Sequence, residues 1–323
     1  MKKFLTSLSL AVSFAAAIVP RTHAGIPAGG LPPVDLPDQC RNRPCEVWLC
    51  AGQSNMQKGW DEFRATPAEK SRAAAELAQL DKVEIWLWDV AGGGWSRLTP
   101  ANGGGRSAFG VSFAIRRALK AKKPVAILHV AAGGAPAESF LSRRMMCKTD
   151  AQGRPVYPKL RAIAMNPREL DANDDFPCSW CRREYRRLKE ACWWPVSRLY
   201  ERGIRRIEHL PLTGVLWYQG ESNATTCVEP DTPLADDYML ETNLAVIDQL
   251  RGGRSIPFVM MGLPKMSRPW QPYRAAQKKA CAVKGAIFAD AFAAGLGDPL
   301  DVHPRDKIPF AELAIKALDV SAR

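Results

Sequence analysis

The stretch Val47-Trp-Leu-Cys50-Ala-Gly-Gln-Ser54-Asn-Met56 changes character at Gly52. Its first five residues are apolar, with a β-branched valine and an aromatic ring, and read as a strand buried on both faces. A glycine and small polar residues follow at once. α/β folds present a nucleophilic serine in this way, at a glycine-flanked turn on the carboxyl end of a parallel sheet. The plainer reading, a turn residue or helix N-cap, suits Ser54 and Asn55 by themselves. The rest of the chain has to decide between them.

Four more short runs resemble the first: Val83–Trp88, Val125–Ala131, Gly214–Tyr218 and Pro257–Met261, each bounded by Gly, Pro or Asp. Helical spacing falls between and after them, over Pro67–Leu80, Phe109–Ala121, Leu234–Leu250, Trp270–Val283 and Pro309–Leu318. Strands alternating with helices predict an α/β fold, a central parallel sheet of five strands with helices on both faces.

At 323 residues, 46% hydrophobic and 24% charged, the chain is ordinary globular material, which excludes disordered, collagenous and coiled-coil classes. Lys2 and Lys3 followed by the apolar run Phe4 to Val19, with small residues at Thr22 and Ala24, read as a secretory leader over residues 1–24. An uncleaved anchor is the alternative, and the run is short and partly polar for one. Cleavage lowers the formal charge from +12 to +9 by removing Lys2, Lys3 and Arg21, and leaves residues 25–323 as one domain. The expected location is periplasmic or secreted, with no membrane span after the cut.

Export implies an oxidising compartment, so pairs are expected among the nine cysteines, and the odd count leaves at least one thiol free. Cys50, inside the first strand, is the candidate free thiol. Cys178-Ser-Trp-Cys181 has the spacing of half a zinc knuckle, but no second such pair or paired His accompanies it, and no metal is expected. Residues 142–206 are too long for a connection. With four cysteines, doubled arginines and Trp193-Trp194, they read as a disulfide-stapled insertion, partly helical from Arg182 to Glu201, lying over one end of the sheet. Its basic surface is either a solvated face, at helical spacing from Glu184, Glu190 and Glu201, or a holder of acidic sugars. No nucleic-acid motif is present, and no such partner is expected.

Three further segments carry chemistry. Asp301-Val-His303-Pro-Arg-Asp-Lys307 supplies a base beside a carboxylate, just ahead of the last helix. Elimination points to the same residue: His23 leaves with the leader, His129 reads as a satisfied core residue within a strand, and His209 lies in a connection. Ala131-Ala-Gly133-Gly134-Ala-Pro-Ala-Glu138 and Trp217-Tyr-Gln219-Gly-Glu221-Ser-Asn223 each end a predicted strand and offer backbone and amide donors for an oxyanion.

Together with Gly-Gln-Ser54-Asn-Met, and with Arg274-Ala-Ala-Gln277 ahead of the last block, these segments resemble the ordered motifs of sialate O-acetylesterase-like carbohydrate esterases. These are a branch of the SGNH hydrolases that also includes acetylxylan esterases. The resemblance runs from about Glu46 to Leu318. It implies a three-layer α/β/α, flavodoxin-like fold, no cofactor, and removal of O-acetyl groups from an acetylated carbohydrate. Carried over, Ser54 is the nucleophile and His303 the base. Ser54, Gly133 or Gly134 and Gln219 furnish the oxyanion hole, and Gln53, Asn55, Glu221 and Asn223 meet the substrate. Many SGNH enzymes carry the aspartate three residues before the histidine, where this chain has Leu300. Asp301 is therefore taken as the third member, with Asp298 or a bare Ser–His dyad left open.

Two other functions compete. A lipase or thioesterase would want a long apolar groove, whereas Trp60, Trp95, Trp193, Trp194 and Trp270 near predicted loops suit either sugar stacking or core packing. A carbohydrate-binding protein that has lost its chemistry would not need Ser54, His303 and Gln219 together.

Overall fold

The computed structural model describes residues 31–60, 65–164, 196–226, 236–267 and 270–322. The expected leader lies outside them, as do Cys178, Cys181, Cys192, Cys227, Trp193 and Trp194. Seven strands form one sheet: β1 (Glu46–Gly52), β2 (Ile85–Asp89), β3 (Trp95–Arg97), β4 (Val125–Ala131), β5 (Gly214–Tyr218), β6 (Phe258–Met261) and β7 (Ile287–Ala289). Their order is β3-β2-β4-β1-β5-β6-β7. Every neighbouring pair is parallel except β2 with β3.

The five predicted strands are all present, and the expected count of five is corrected to seven. The additions, β3 and β7, are three-residue strands at the two edges, too short to show a period in sequence. Without β2 and β3 the sheet reads β4-β1-β5-β6-β7. In chain order that is the 2-1-3-4-5 of flavodoxin-like sheets. β2 and β3 widen it on one side.

Alternate residues of β1 enter different cores, as a buried strand requires. Trp48 and Cys50 join Phe109 and Phe113 of helix α4 (Ala108–Ala121) and Phe310 and Leu318 of α10 (Ile308–Ser321). The Trp48 and Phe113 rings meet edge to face at 4.8 Å. Val47, Leu49 and Ala51 join Val246 and Leu250 of α8 (Asp236–Arg251) and Ala280 of α9 (Gln271–Lys284) on the other face. Burying each large side chain here stabilises the fold by roughly 1.5–3 kcal/mol. The layers are thus helix, sheet, helix.

Local chemistry sets the helix starts. Thr66 accepts the Glu69 N–H while the Glu69 carboxylate accepts that of Thr66, and Pro67 opens α3 (Pro67–Leu77). Ser107 caps α4 by accepting the Gly110 N–H. α2 (Ser54–Gln57) is a single turn directly after β1.

The described flank of the insertion over residues 142–164 sits on α8. Tyr157 Oη donates to Asp248 at 2.6 Å and Ser142 Oγ to Gln249 at 2.7 Å. Most of the helix expected from Arg182 to Glu201 lies outside the described residues, and a π turn, Tyr200–Ile204, overlaps its end. Among the described residues Cys40, Cys45, Cys50, Cys147 and Cys281 are free thiols, and the other three cysteines of the expected staple, Cys178, Cys181 and Cys192, lie outside those residues. Among the described residues no helix is long and apolar enough to cross a membrane.

Gly52 closes β1 with φ 150°, and a Cβ placed there would stand 2.0 Å from the Tyr218 carbonyl oxygen of the neighbouring strand. Only glycine lets β1 and β5 run in contact to the point where the chain turns into Ser54. Gly52→Ala is expected to lower unfolding stability by at least about 2 kcal/mol in urea melts; an unchanged midpoint would show that the strand end relaxes freely.

Candidate active site

β4, β1 and β5 are neighbours whose last residues are level: Gly52 pairs with Ala131 on one side and with Tyr218 on the other. The three loops that follow therefore emerge side by side. They carry Ser54, the Gly133-Gly134 pair, and Gln219 to Asn223. The loop before α10 brings His303 to the same place.

Ser54 Oγ and His303 Nε2 are 2.8 Å apart. Burial, followed by the positive charges of Lys58 and Lys307, pushes the His303 imidazole down to about 4, against a smaller pull upward from Asp301. The ring is thus neutral at neutral pH, with Nε2 able to accept the serine proton. Asp301 is placed differently from a triad member. Its Oδ1 accepts the His303 backbone N–H at 2.8 Å and lies 3.9 Å from Nδ1, beyond hydrogen-bond reach. Asp298 accepts the Leu300 N–H instead of meeting the ring. The geometry is a Ser–His pair with a carboxylate close by.

Of the expected oxyanion donors, Ser54 offers its own N–H from the first turn of α2, where no intrahelical partner exists. Gly133 flanks Ser54: a Cβ built on it would be 3.8 Å from the serine Cβ. Its N–H is held at 2.7 Å by the side-chain oxygen of Gln57. Gly134, at φ 75°, has its carbonyl fixed by Ser222 Oγ at 3.1 Å. Gln219 stands in the loop beside Ser54, fully buried, with its amide nitrogen donating to Asn223 Oδ1 at 2.7 Å and to the Ala135 carbonyl at 3.2 Å.

The four residues expected to meet substrate are all buried and hydrogen-bonded within the protein. Gln53 Oε1 accepts the Ser222 N–H at 3.0 Å. Asn223 accepts the Ala137 N–H and donates to the Glu138 carboxylate, both at 3.0 Å. Asn55 Nδ2 donates to Glu221 and to the Val302 carbonyl, the latter at 2.9 Å, while its oxygen accepts from Lys307. Lys307 is fully buried, and burial drives it down to about 7 despite Glu221. Burial pushes Glu221 up. These side chains tie the loops around Ser54 to one another.

Sequence reading missed Lys307, because a lysine in a polar loop reads as surface. It also missed Gln57, whose position three residues after Ser54 on a helical turn was the available signal. His129 is a satisfied core residue as expected, with Nδ1 2.7 Å from Asp89 and Nε2 3.2 Å from the Met56 carbonyl. Burial raises Asp89, but His129 and Arg106 outweigh it and bring the carboxyl to about 2. Among the five flagged tryptophans Trp270 is core, Trp95 is half-buried, and Trp60 lines a cavity of about 380 Å³ with Lys70, Leu77 and Arg305, beside the His303 loop. No cluster of three or more His, Cys, Asp or Glu suited to a metal ion occurs among the described residues.

No protein-family model matches the chain. It is similar to the sialate O-acetylesterase of Rattus norvegicus, 26% identical over 214 residues, covering 55% of this chain and 35% of the rat protein. The Mus musculus sialate O-acetylesterase is 25% identical over 217 residues, 58% of this chain and 38% of the mouse protein. The chain therefore spans little more than a third of these relatives' length. A carbohydrate acetylesterase from Xanthomonas citri shares the fold, with TM-score 0.60 at 23% identity over 86% of this chain and 57% of that one.

The electrostatic setting of His303 is open to direct measurement. In a histidine NMR titration its midpoint is expected near 4 rather than the usual 6.5. Lys58→Gln removes one of the cations that disfavour the imidazolium and should raise the midpoint toward the usual value; a midpoint that stays fixed would remove Lys58 from the explanation.

Proposed function

We propose that this relative of the sialate O-acetylesterases is an exported carbohydrate O-acetylesterase working through Ser54 and His303. The observation that carries the reading is the 2.8 Å contact between Ser54 Oγ and the neutral His303 Nε2 at the shared mouth of three parallel strands. Ser54 Oγ attacks the acetyl carbonyl carbon while Nε2 takes the hydroxyl proton. The carbonyl electrons move onto oxygen, and backbone N–H groups of Ser54 and the Gly133-Gly134 turn receive that charge. The C–O bond to the sugar breaks, and His303 returns the proton to the departing alcohol. Water, deprotonated by His303, then releases acetate from the acetyl-serine by the same steps.

Asp301 contributes its charge rather than a hydrogen bond: it favours the imidazolium formed during each transfer, offsetting Lys58 and Lys307. The acetyl-bearing substrate class follows from the relatives' names. The cavity beside the His303 loop, with the Trp60 ring and the Arg305 guanidinium, has the mixed aromatic and polar lining that suits a sugar. Export rests on the Lys2-Lys3 start and the apolar run behind it.

The test is acetate release from acetylated sialic acid, acetylated xylan, simple sugar acetates and p-nitrophenyl acetate. Ser54→Ala is expected to lose at least about a thousandfold in rate. Retention of the wild-type rate by this variant would end the assignment, and carbohydrate binding without turnover by the wild type would favour a binding protein. Asp301→Asn is expected to lose less than about tenfold, against about 10⁴ where an aspartate holds the imidazole through Nδ1.

A further inference from the structure

The proposed acyl site is already partly filled by the chain itself. Gln57 follows Ser54 by three residues on α2, so both side chains leave the same face of the turn. Its Oε1 accepts the Gly133 N–H at 2.7 Å. A Cβ built on Gly133 would lie 3.1 Å from that oxygen and 3.8 Å from Ser54 Cβ, so a side-chain carbonyl stands against the glycine beside the nucleophile. The Gly133 loop cannot readily swing to another partner. Ala132 N–H bonds the Gly52 carbonyl at 3.1 Å, and Ala135 N–H turns back to Ala132 at 3.2 Å.

We propose that Gln57 is a resting occupant of the oxyanion site, an internal carbonyl that an acyl substrate must displace from the Gly133 N–H before reaction. The chemistry favours an asymmetric exchange. An amide oxygen accepts a hydrogen bond better than an ester carbonyl, so a ground-state ester gains nothing by replacing it. A developing oxyanion makes a charge-assisted bond about twice as strong and does win the exchange. Breaking the Gln57 bond costs the bound ester and the transition state alike, so Gln57 would weaken substrate binding with little effect on the chemical step. Gln57 in this role determines specificity for groups able to take the N–H. It does not take part in bond making.

The kinetic consequence rests on the esterase reading and separates from it. With p-nitrophenyl acetate, Gln57→Ala and Gln57→Met are expected to lower KM by about two- to tenfold, the worth of one neutral hydrogen bond, with a smaller change in kcat. If Gln57 only orients the Gly133 N–H, kcat falls and KM holds, and the proposal is overturned. If the wild type turns over no ester, the esterase reading fails, and the occupancy is judged by NMR instead. The Gly133 amide proton should then move upfield in Gln57→Ala as its bond is lost. A Gly133 resonance unchanged in both Gln57→Ala and Gln57→Met sinks the proposal whatever the activity.

Discussion

Ser54 and His303 lie 249 residues apart in the chain, and one buried amide joins their supports. Asn55, next to Ser54, donates to the carbonyl of Val302, next to His303, and to Glu221 from the third loop, while Lys307 donates to its oxygen. Val302 and Lys307 belong to the loop that carries His303 and Glu221 to the loop after β5, and all three are spent on the same side chain. Without that junction the three loops would share a sheet edge but have no common reference, and a 2.8 Å contact between Ser54 and His303 would depend on loop packing alone. A buried, fully hydrogen-bonded polar network fixes one geometry at a cost in desolvation, which is the use best attested for such groups.

The same junction sets the charge around the base. Lys307 is closed off from water between the rings of Tyr218 and Phe310, 5.8 and 5.5 Å from their centroids, and Glu221 lies on the far side of Asn55. Burial works on the two in opposite directions, lowering the ammonium and raising the carboxyl. With Lys58 at the end of α2, the cations near His303 disfavour its protonated form, so the ring is kept as a base. Asp301, tied to a backbone N–H, supplies a counter-charge without gripping the ring. Geometry and protonation state thus come from one set of residues.

Much of this was legible in the sequence. Five apolar runs were long enough to show as strands, and three of them ended in the loops that meet around Ser54. β3 and β7 were illegible because three residues carry no period. The polar residues of the loops were legible as a group, but not individually. Gln53, Asn55, Gln219, Glu221 and Asn223 have the composition of a binding surface, and nothing local distinguishes an amide turned to substrate from one turned inward. Only the tertiary arrangement shows that Gln219 is spent on Asn223 and Ala135, or that Asn55 is a tie. The position of Asp301 likewise depends on the path of the loop, since a carboxylate two residues before a histidine reaches the backbone N–H more easily than the ring.

The two margins of the sheet have a consequence for the solubility of the chain. A broad parallel sheet invites another chain to add a strand at either side, because edge N–H and C=O groups act as a template. Here one margin is the three-residue, antiparallel β3, ending at Arg97, and the other is the three-residue β7. An incoming segment would find too few ladder positions on either side to register. The sheet is widened to seven strands, yet it offers little length for strand addition, the first step toward aggregation.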